Sequence, residues 1–306
     1  MFFRAQDNLT NDLQKKLVHR LGQLSGKPAT STLHIHPVLN NTNEFGSDAQ
    51  ISTISSLARK KLFNHERQSD RRRYDSAQWH SDIQFEPACA DYTSLRLTQL
   101  PSTGGDTLWA SGYEIYDRFS KKYQEFLEGL TATFIGEGFL RAVAANPTEV
   151  KIYAEPRGSP LNVGEELATV HPVVRTNPVT GWKSLFALGP FPRYINELTP
   201  SESDDLLKKF RTIIAESHDL QVRFKWRNKN DIGKSILVYT IASCSLLFAK
   251  TFSPAIWDNR SAFHTATFDY EGLGERFGNR AVGIGEKPYL DPNSKSRTED
   301  LAVNAE

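Results

Sequence analysis

With 306 residues, 37 Lys and Arg against 36 Asp and Glu, and a formal charge of +1, the chain is long enough for one large or two modest domains. That balance excludes a global field recruiting nucleic acid or an anionic membrane, so any attraction for an anion must be local. Two cysteines, Cys89 and Cys244, support no disulfide framework, and residues 1–7 lack the apolar core of a secretory signal, so the cytoplasm is the expected location.

In chain order, Leu13, Leu17, Leu21 and Leu24 recur at helical spacing and predict an amphipathic helix over 12–24, ended by Gly26-Lys27-Pro28. Residues 33–38, Leu33-His34-Ile35-His36-Pro37-Val38, alternate apolar and polar, which predicts a half-buried strand with both histidines on one face. The run 59–74, with Arg71-Arg72-Arg73, reads as a solvated, mobile connection; a nucleic-acid patch would need interleaved aromatic residues. Next comes Trp79-His80-Ser81-Asp82. In an extended strand, side chains two apart share a face, so His80 and Asp82 would present an imidazole and a carboxylate together. That is two thirds of the set that holds a non-heme ferrous ion. In a chain with eight histidines the pair also arises by chance, so it gains weight only from Thr107, His264, Arg276 and Arg280 further along.

Residues 92–99 alternate strongly and predict a strand, 101–106 form a turn cluster, 107–110 resume an extended pattern and 111–130 return to helical spacing. Strands at 170–174 and 182–188 flank 176–181, a hairpin signal opened by Asn177-Pro178 and closed by Gly181. Thr199-Pro200-Ser201-Glu202 reads as an N-cap, a proline at the first helical position and a capping box, with Leu206, Leu207, Phe210, Ile213 and Ile214 as the buried face. Short strands with turn punctuation and a few helices favour a mostly β sandwich or barrel. Residues 233–254 are almost wholly apolar in their middle, yet too short for a membrane span, which needs about 20 such residues. A buried extra element is one reading; a translated intron is the expectation preferred, because removing 233–254 joins Asp231-Ile232 to Ala255-Ile256-Trp257 as one strand pattern.

With these landmarks placed, the sequence resembles the taurine/alkylsulfonate dioxygenase family of ferrous, 2-oxoglutarate-dependent oxygenases, as a fungal-type member. The carriers are Leu33-His34-Ile35-His36-Pro37-Val38, Trp79-His80-Ser81-Asp82, Gly104-Gly105-Asp106-Thr107-Leu108-Trp109, His171-Pro172-Val173-Val174-Arg175-Thr176, Trp257-Asp258-Asn259-Arg260 leading to His264, and Gly285-Glu286-Lys287-Pro288. The resemblance implies a mainly β fold with flanking helices, the double-stranded β-helix or cupin-like jelly roll, as a single domain over 1–306 with an apolar insertion at 233–254 and a flexible tail at 291–306. It implies His80, Asp82 and His264 as iron ligands, leaving three positions for the cosubstrate and O₂. Thr107 and Arg276 match the residues that hold the distal carboxylate of 2-oxoglutarate, a task suited to a guanidinium. Arg280 and His36 match the grip on a substrate sulfonate, helped by the backbone N–H of Ile83, with Phe191 walling that pocket.

Two departures stand out. Where the taurine enzyme places a tyrosine and an asparagine near the substrate amine, this chain has Leu39 and Ser76, so a less polar or larger tail than that of taurine is expected. Family members also carry more residues before the stretch matching Phe2-Phe3-Arg4, so either a mispredicted start or an N-terminal truncation is expected, and the chain as written would expose an unpaired sheet edge and apolar surface and be poorly soluble. The implied reaction consumes 2-oxoglutarate and O₂, hydroxylates the carbon bearing the sulfonate, and releases sulfite, an aldehyde, succinate and CO₂. Another anion, a carboxylate or sulfate ester, is the alternative within the class, and an inactive pseudo-enzyme of the same fold the alternative outside it. The expected partner is a small anionic substrate, without nucleic acid or membrane; a homo-oligomer stays open.

Overall fold

The computed structural model describes residues 1–3, 6, 8–38, 48–62, 78–226, 254–270 and 272–303. The apolar segment 233–254 lies outside them apart from Pro254, as do Leu39, Ser76 and most of the charged run 59–74. Thr10 accepts from the Leu13 N–H and caps α1 (Asn11–Leu24). The leucine stripe is not the face this helix buries: Gln14, Val18 and Gly22 are inside, while Leu13, Leu17 and Leu24 are exposed. Two local facts set the rotation. Gln14 Nε2 donates to the carbonyls of Ser94 at 2.8 Å and Asn279 at 3.0 Å. At Gly22 an added Cβ would lie 2.3 Å from Asp91 Oδ2, so only the missing side chain allows that approach.

Residues 33–38 run beside the sheet without forming a strand, with one bridge, Leu33 to Gly283, and a His34 N–H to Val282 carbonyl bond of 2.8 Å. β1 (Ser52–Ser55) leads directly into α2 (Ser56–Leu62), so the start of the charged run is helical. β2 (Ala90–Gln99) is the longest strand, and β3 (Thr107–Ser111) follows the Gly104-Gly105 turn. The helical stretch after it breaks at 118–120 into α3 (Gly112–Asp117), capped by Ser111, and α4 (Lys121–Glu128). Then come β4 (Thr131–Ile135), α5 (Glu137–Ala145), β5 (Ala168–Pro172), β6 (Val174–Thr176), β7 (Lys183–Leu185) and β8 (Pro192–Ile195). β6 and β7 make the expected hairpin, with Gly181 at φ 72° in its turn. α6 (Pro200–Glu216) carries the full capping box of Thr199 and Glu202.

β9 (Gln221–Phe224), β10 (Pro254–Asp258), β11 (Ala262–Ala266) and β12 (Phe277–Ile284) complete the strands among the described residues. Four antiparallel strands form a sheet in the order β1-β12-β2-β10; two three-stranded sheets run β11-β3-β9 and β5-β4-β8. Helices flank these sheets, and Phe119, Leu127, Phe210 and Ile214 from the helical side pack with Phe134, Phe186 and Phe263 in the main core. The outer edge of β10 is covered by residues 1–3: the Ile256 N–H donates to the Met1 carbonyl at 2.9 Å and the Phe3 N–H to Pro254 at 3.1 Å. The expected bare edge is therefore paired at this strand, although Met1, Phe2 and Phe3 remain exposed. The tail also differs from expectation. Residues 297–303 form α7 (Arg297–Val303), capped by Ser296 and held by an Arg297 to Glu114 ion pair, by Thr298 on Asp117, and by Trp182 Nε1 on Asp300 at 3.0 Å. Among the described residues no helix is long and apolar enough to cross a membrane.

Candidate active site

His80 and His264 exchange backbone hydrogen bonds, His80 N–H to His264 O at 3.0 Å and the reverse at 2.8 Å, an antiparallel bridge that sets their rings 4.3 Å apart. The chain does not continue as the strand expected over 79–82. It turns at once through 82–85, and the turn carries the Asp82 carboxylate back toward both rings. Asp82 Oδ1 lies 3.8 Å from His264 Nε2 and 4.0 Å from His80 Nε2. One ligand atom from each of the three residues falls within 4.8 Å of the others. Side chains far apart in sequence thus converge as expected, by a turn in place of a pleat. Ile83, inside it, has φ 51°, the one positive value at a non-glycine among the described residues. For a β-branched side chain this costs on the order of 1–3 kcal/mol, held by the surrounding packing. Gly189 supports the bridge from behind: at φ 115°, an added Cβ would meet the Trp79 carbonyl at 2.5 Å.

Protonation follows from the partners. His80 Nδ1 is 2.7 Å from the Gln78 carbonyl, which can only accept, so Nδ1 carries the hydrogen and Nε2 presents a lone pair. Burial lowers the pKa of His80, and burial together with the neighbouring His80 lowers that of His264 to about 3, so both rings are neutral. For Asp82 burial acts upward, but with both rings neutral the Arg280 guanidinium, helped by the Thr93 hydroxyl, outweighs it and holds the carboxyl down at about 2. Two neutral imidazole nitrogens and one ionised oxygen facing a common point fit a ferrous ion by charge and donor type.

At the other end of β11, Ala266 pairs with Thr107, while His264 pairs with Trp109. Thr107 therefore stands two residues along the ladder from the histidine, roughly 7 Å. Arg276, buried just before β12, donates from Nη2 to Thr107 Oγ1 at 3.1 Å and from Nε to the Gly105 carbonyl at 2.9 Å. Burial lowers its pKa to about 10, which leaves it a cation at neutral pH. Sequence reasoning missed Trp226, whose Nε1 donates to the same Thr107 hydroxyl at 2.9 Å.

Arg280 arrives on β12, opposite Leu95 on β2, and donates from Nη1 to Asp82 Oδ1 at 2.6 Å. His36 is buried, and its Nδ1 accepts from the Val38 N–H at 3.1 Å, so in the neutral ring Nε2 is the donor. The Phe191 ring stands 6.3 Å from His80 and 5.1 Å from Phe85, and Phe139 of α5 lies edge-on to His36 at 5.0 Å. All nine sequence-predicted site residues thus belong to the described part of the chain. Those missed are Phe139, Trp226, Thr93 and Asn259; only Asn259 had a signal, inside Trp257-Asp258-Asn259. The motifs at 171–176 and 285–288 meet each other through an Arg175 to Glu286 ion pair.

Comparison with known proteins identifies the family and the fold. The family model described as taurine catabolism dioxygenase TauD, TfdA family matches residues 1–232. The chain is 48% identical, over 98% of its length and 82% of the relative's, to the alpha-ketoglutarate-dependent dioxygenase btcD of Neocamarosporium betae. It is 31% identical, over 71% of its length and 44% of the relative's, to the alpha-ketoglutarate-dependent sulfonate dioxygenase of Saccharomyces cerevisiae. Among solved structures, a taurine dioxygenase from Burkholderia xenovorans superposes with a TM-score of 0.62 at 23% identity, covering 96% of this chain and 78% of that one, a likeness of the jelly-roll fold.

Proposed function

The chain belongs to the taurine catabolism dioxygenase TauD, TfdA family of alpha-ketoglutarate-dependent enzymes, and from that premise we propose that it hydroxylates a small organosulfonate at the carbon bearing the sulfonate. The family uses Fe(II), 2-oxoglutarate and O₂. His80, Asp82 and His264 would hold the iron, which supplies the activation of O₂ coupled to decarboxylation of the cosubstrate. Arg276 and Thr107 take the distal carboxylate of 2-oxoglutarate, the guanidinium and hydroxyl already aimed together. Arg280 and the Nε2–H of His36 take the sulfonate, with the Ile83 N–H as the third donor of this reading. Phe191 and Phe139 wall the tail and exclude water from the reacting carbon.

The hydroxylated carbon then loses its O–H proton as the C–S bond breaks, giving an aldehyde and sulfite alongside succinate and CO₂. The observation that carries this reading is Arg280, a cation of which only 13% of the side chain is exposed, bonded to the carboxylate that faces both imidazoles. The phenyl-lined walls favour a tail less polar or larger than that of taurine. On this reading a small anion is the only partner required. The test is product analysis over taurine, longer alkyl and aryl sulfonates, alkyl sulfates and carboxylates. Sulfite released in step with succinate is the expected result. Turnover confined to sulfates or carboxylates would replace the sulfonate reading by one of those.

A further inference from the structure

Asp82, Asn259 and Thr93 close a buried hydrogen-bonded ring, into which Trp257 donates, and its directions can be worked out atom by atom. The Asp82 N–H donates to Asn259 Oδ1 at 3.1 Å, and Trp257 Nε1 donates to the same oxygen at 3.0 Å. Both are donors only, so this end of the Asn259 amide must be its oxygen. Asn259 Nδ2 then donates to Thr93 Oγ1 at 2.8 Å and to the Asp91 carbonyl at 3.2 Å. With that proton arriving, the single hydroxyl proton of Thr93 goes to Asp82 Oδ2, 2.9 Å away. Asn259 is itself fixed: its N–H donates to the Asp91 carbonyl at 2.7 Å, and its own carbonyl accepts from Ser81 Oγ at 2.7 Å.

We infer that Thr93, oriented by Asn259, is a positioning residue that confines Asp82 to binding the metal through Oδ1 alone. This rests on Asp82 being a metal ligand. Oδ2 is engaged by Thr93, while Oδ1 faces both Nε2 atoms; with more than one lone pair it can serve Arg280 and a metal together. A second carboxylate oxygen on the metal would occupy a position that the cosubstrate or O₂ needs. The ring therefore protects the open positions, and it does so from strand β2, whose position 93 is otherwise an ordinary buried strand site.

The experiment measures Mn(II) affinity of the full chain, and the visible absorption of its anaerobic complex with Fe(II) and 2-oxoglutarate, for the unaltered protein and for Thr93→Val, Thr93→Ala, Thr93→Ser and Asp82→Ala. Losing the hydroxyl should weaken Mn(II) binding roughly tenfold to a hundredfold and shift the absorption band, and Thr93→Ser should restore both. Thermal melts establish which variants fold, and Thr93→Ala serves where Thr93→Val does not. Unchanged metal affinity and band in the folded variant lacking the hydroxyl would overturn the inference. So would a serine variant as impaired as valine, since packing and not the hydroxyl would then be the cause. Should Asp82→Ala itself leave metal binding intact, the metal-centre reading fails first; should only the Thr93 variants do so, the ring alone is wrong.

Discussion

Two buried carboxylates, Asp82 and Asp91, are tied to the same Asn259 and titrate in opposite directions. The Asp82 backbone donates to the Asn259 side chain, and the Asp91 backbone accepts from it. Both are almost wholly out of water. Yet Asp82 is held down at about 2, while burial drives Asp91 up to about 6. The difference lies in what meets the oxygens. Asp82 Oδ1 meets the Arg280 guanidinium and Oδ2 the Thr93 hydroxyl; Asp91 Oδ1 meets only the Tyr92 N–H, and Oδ2 has no hydrogen-bond partner among the described residues. Burial sets the stakes for a carboxylate, and its partners decide the charge it carries.

The same contrast recurs between Asp82 and the neighbourhood of Arg280. Around Asp82 every polar atom of the side chain is engaged. A few residues away, neither ring nitrogen of His34 nor Arg280 Nε has a hydrogen-bond partner among the described residues. Buried polar atoms without partners are uncommon in a native core, and His34 lies close enough to Arg280 to feel its charge.

The largest expected effect comes from removing the satisfied carboxylate. Asp82→Ala should abolish both metal binding and turnover, a loss beyond the roughly hundredfold that an outer partner costs. Equal Mn(II) affinity in that variant and the unaltered chain would break the comparison at its root. Next is Arg276→Gln, which leaves Thr107 without its cation. The KM for 2-oxoglutarate should rise roughly tenfold to a hundredfold, the worth of a charge-assisted hydrogen bond, with metal affinity nearly unchanged. Arg280→Gln should act on the other substrate. On the proposed sulfonate reading, saturation by the sulfonate weakens by roughly ten to a hundred times, and succinate is made in excess over sulfite. A loss of metal binding as deep as that of Asp82→Ala would instead make Arg280 part of the metal centre.

How much of this was legible in the chain follows from range. Thr199 and Glu202 announced their capping box because all its atoms lie within one helical turn. The His80 and Asp82 pair was legible from residue type, and the family motifs supplied His264, Thr107, Arg276 and Arg280. The turn through 82–85 was not, because Ile83 is an unlikely residue for a positive φ and only tertiary packing forces it. Thr93 left no mark either: in an alternating strand, a buried threonine whose hydroxyl is used looks the same as one whose hydroxyl is not. The leucines of α1 misled for a related reason. Helical spacing locates a stripe, but the tether from Gln14 and the close approach at Gly22 choose which stripe turns inward. Residues 291–306 read as a tail because their contacts, Arg297 on Glu114 and Trp182 on Asp300, come from segments remote in sequence.

The smallest effect on turnover, and the sharpest test of the contrast, concerns Asp91. Its folded pKa of about 6 lies above the 3.8 of an unperturbed carboxyl, so the folded chain holds this proton more tightly than the unfolded one. The stability this provides is complete below pH 3.8, falls as pH rises toward 6, and is gone above it, a loss of up to about 3 kcal/mol. Lys27 and Arg260 work against the shift, so the fall should be shallower than burial alone would give. In Asp91→Asn that contribution is absent, and the melting temperature between pH 4 and 7 should run flatter than in the unaltered chain, with turnover little changed because Asn259 uses the Asp91 backbone and not its carboxylate. Parallel melting curves for the two proteins would mean that Asp91 is ionised throughout, and that burial without partners does not set its charge.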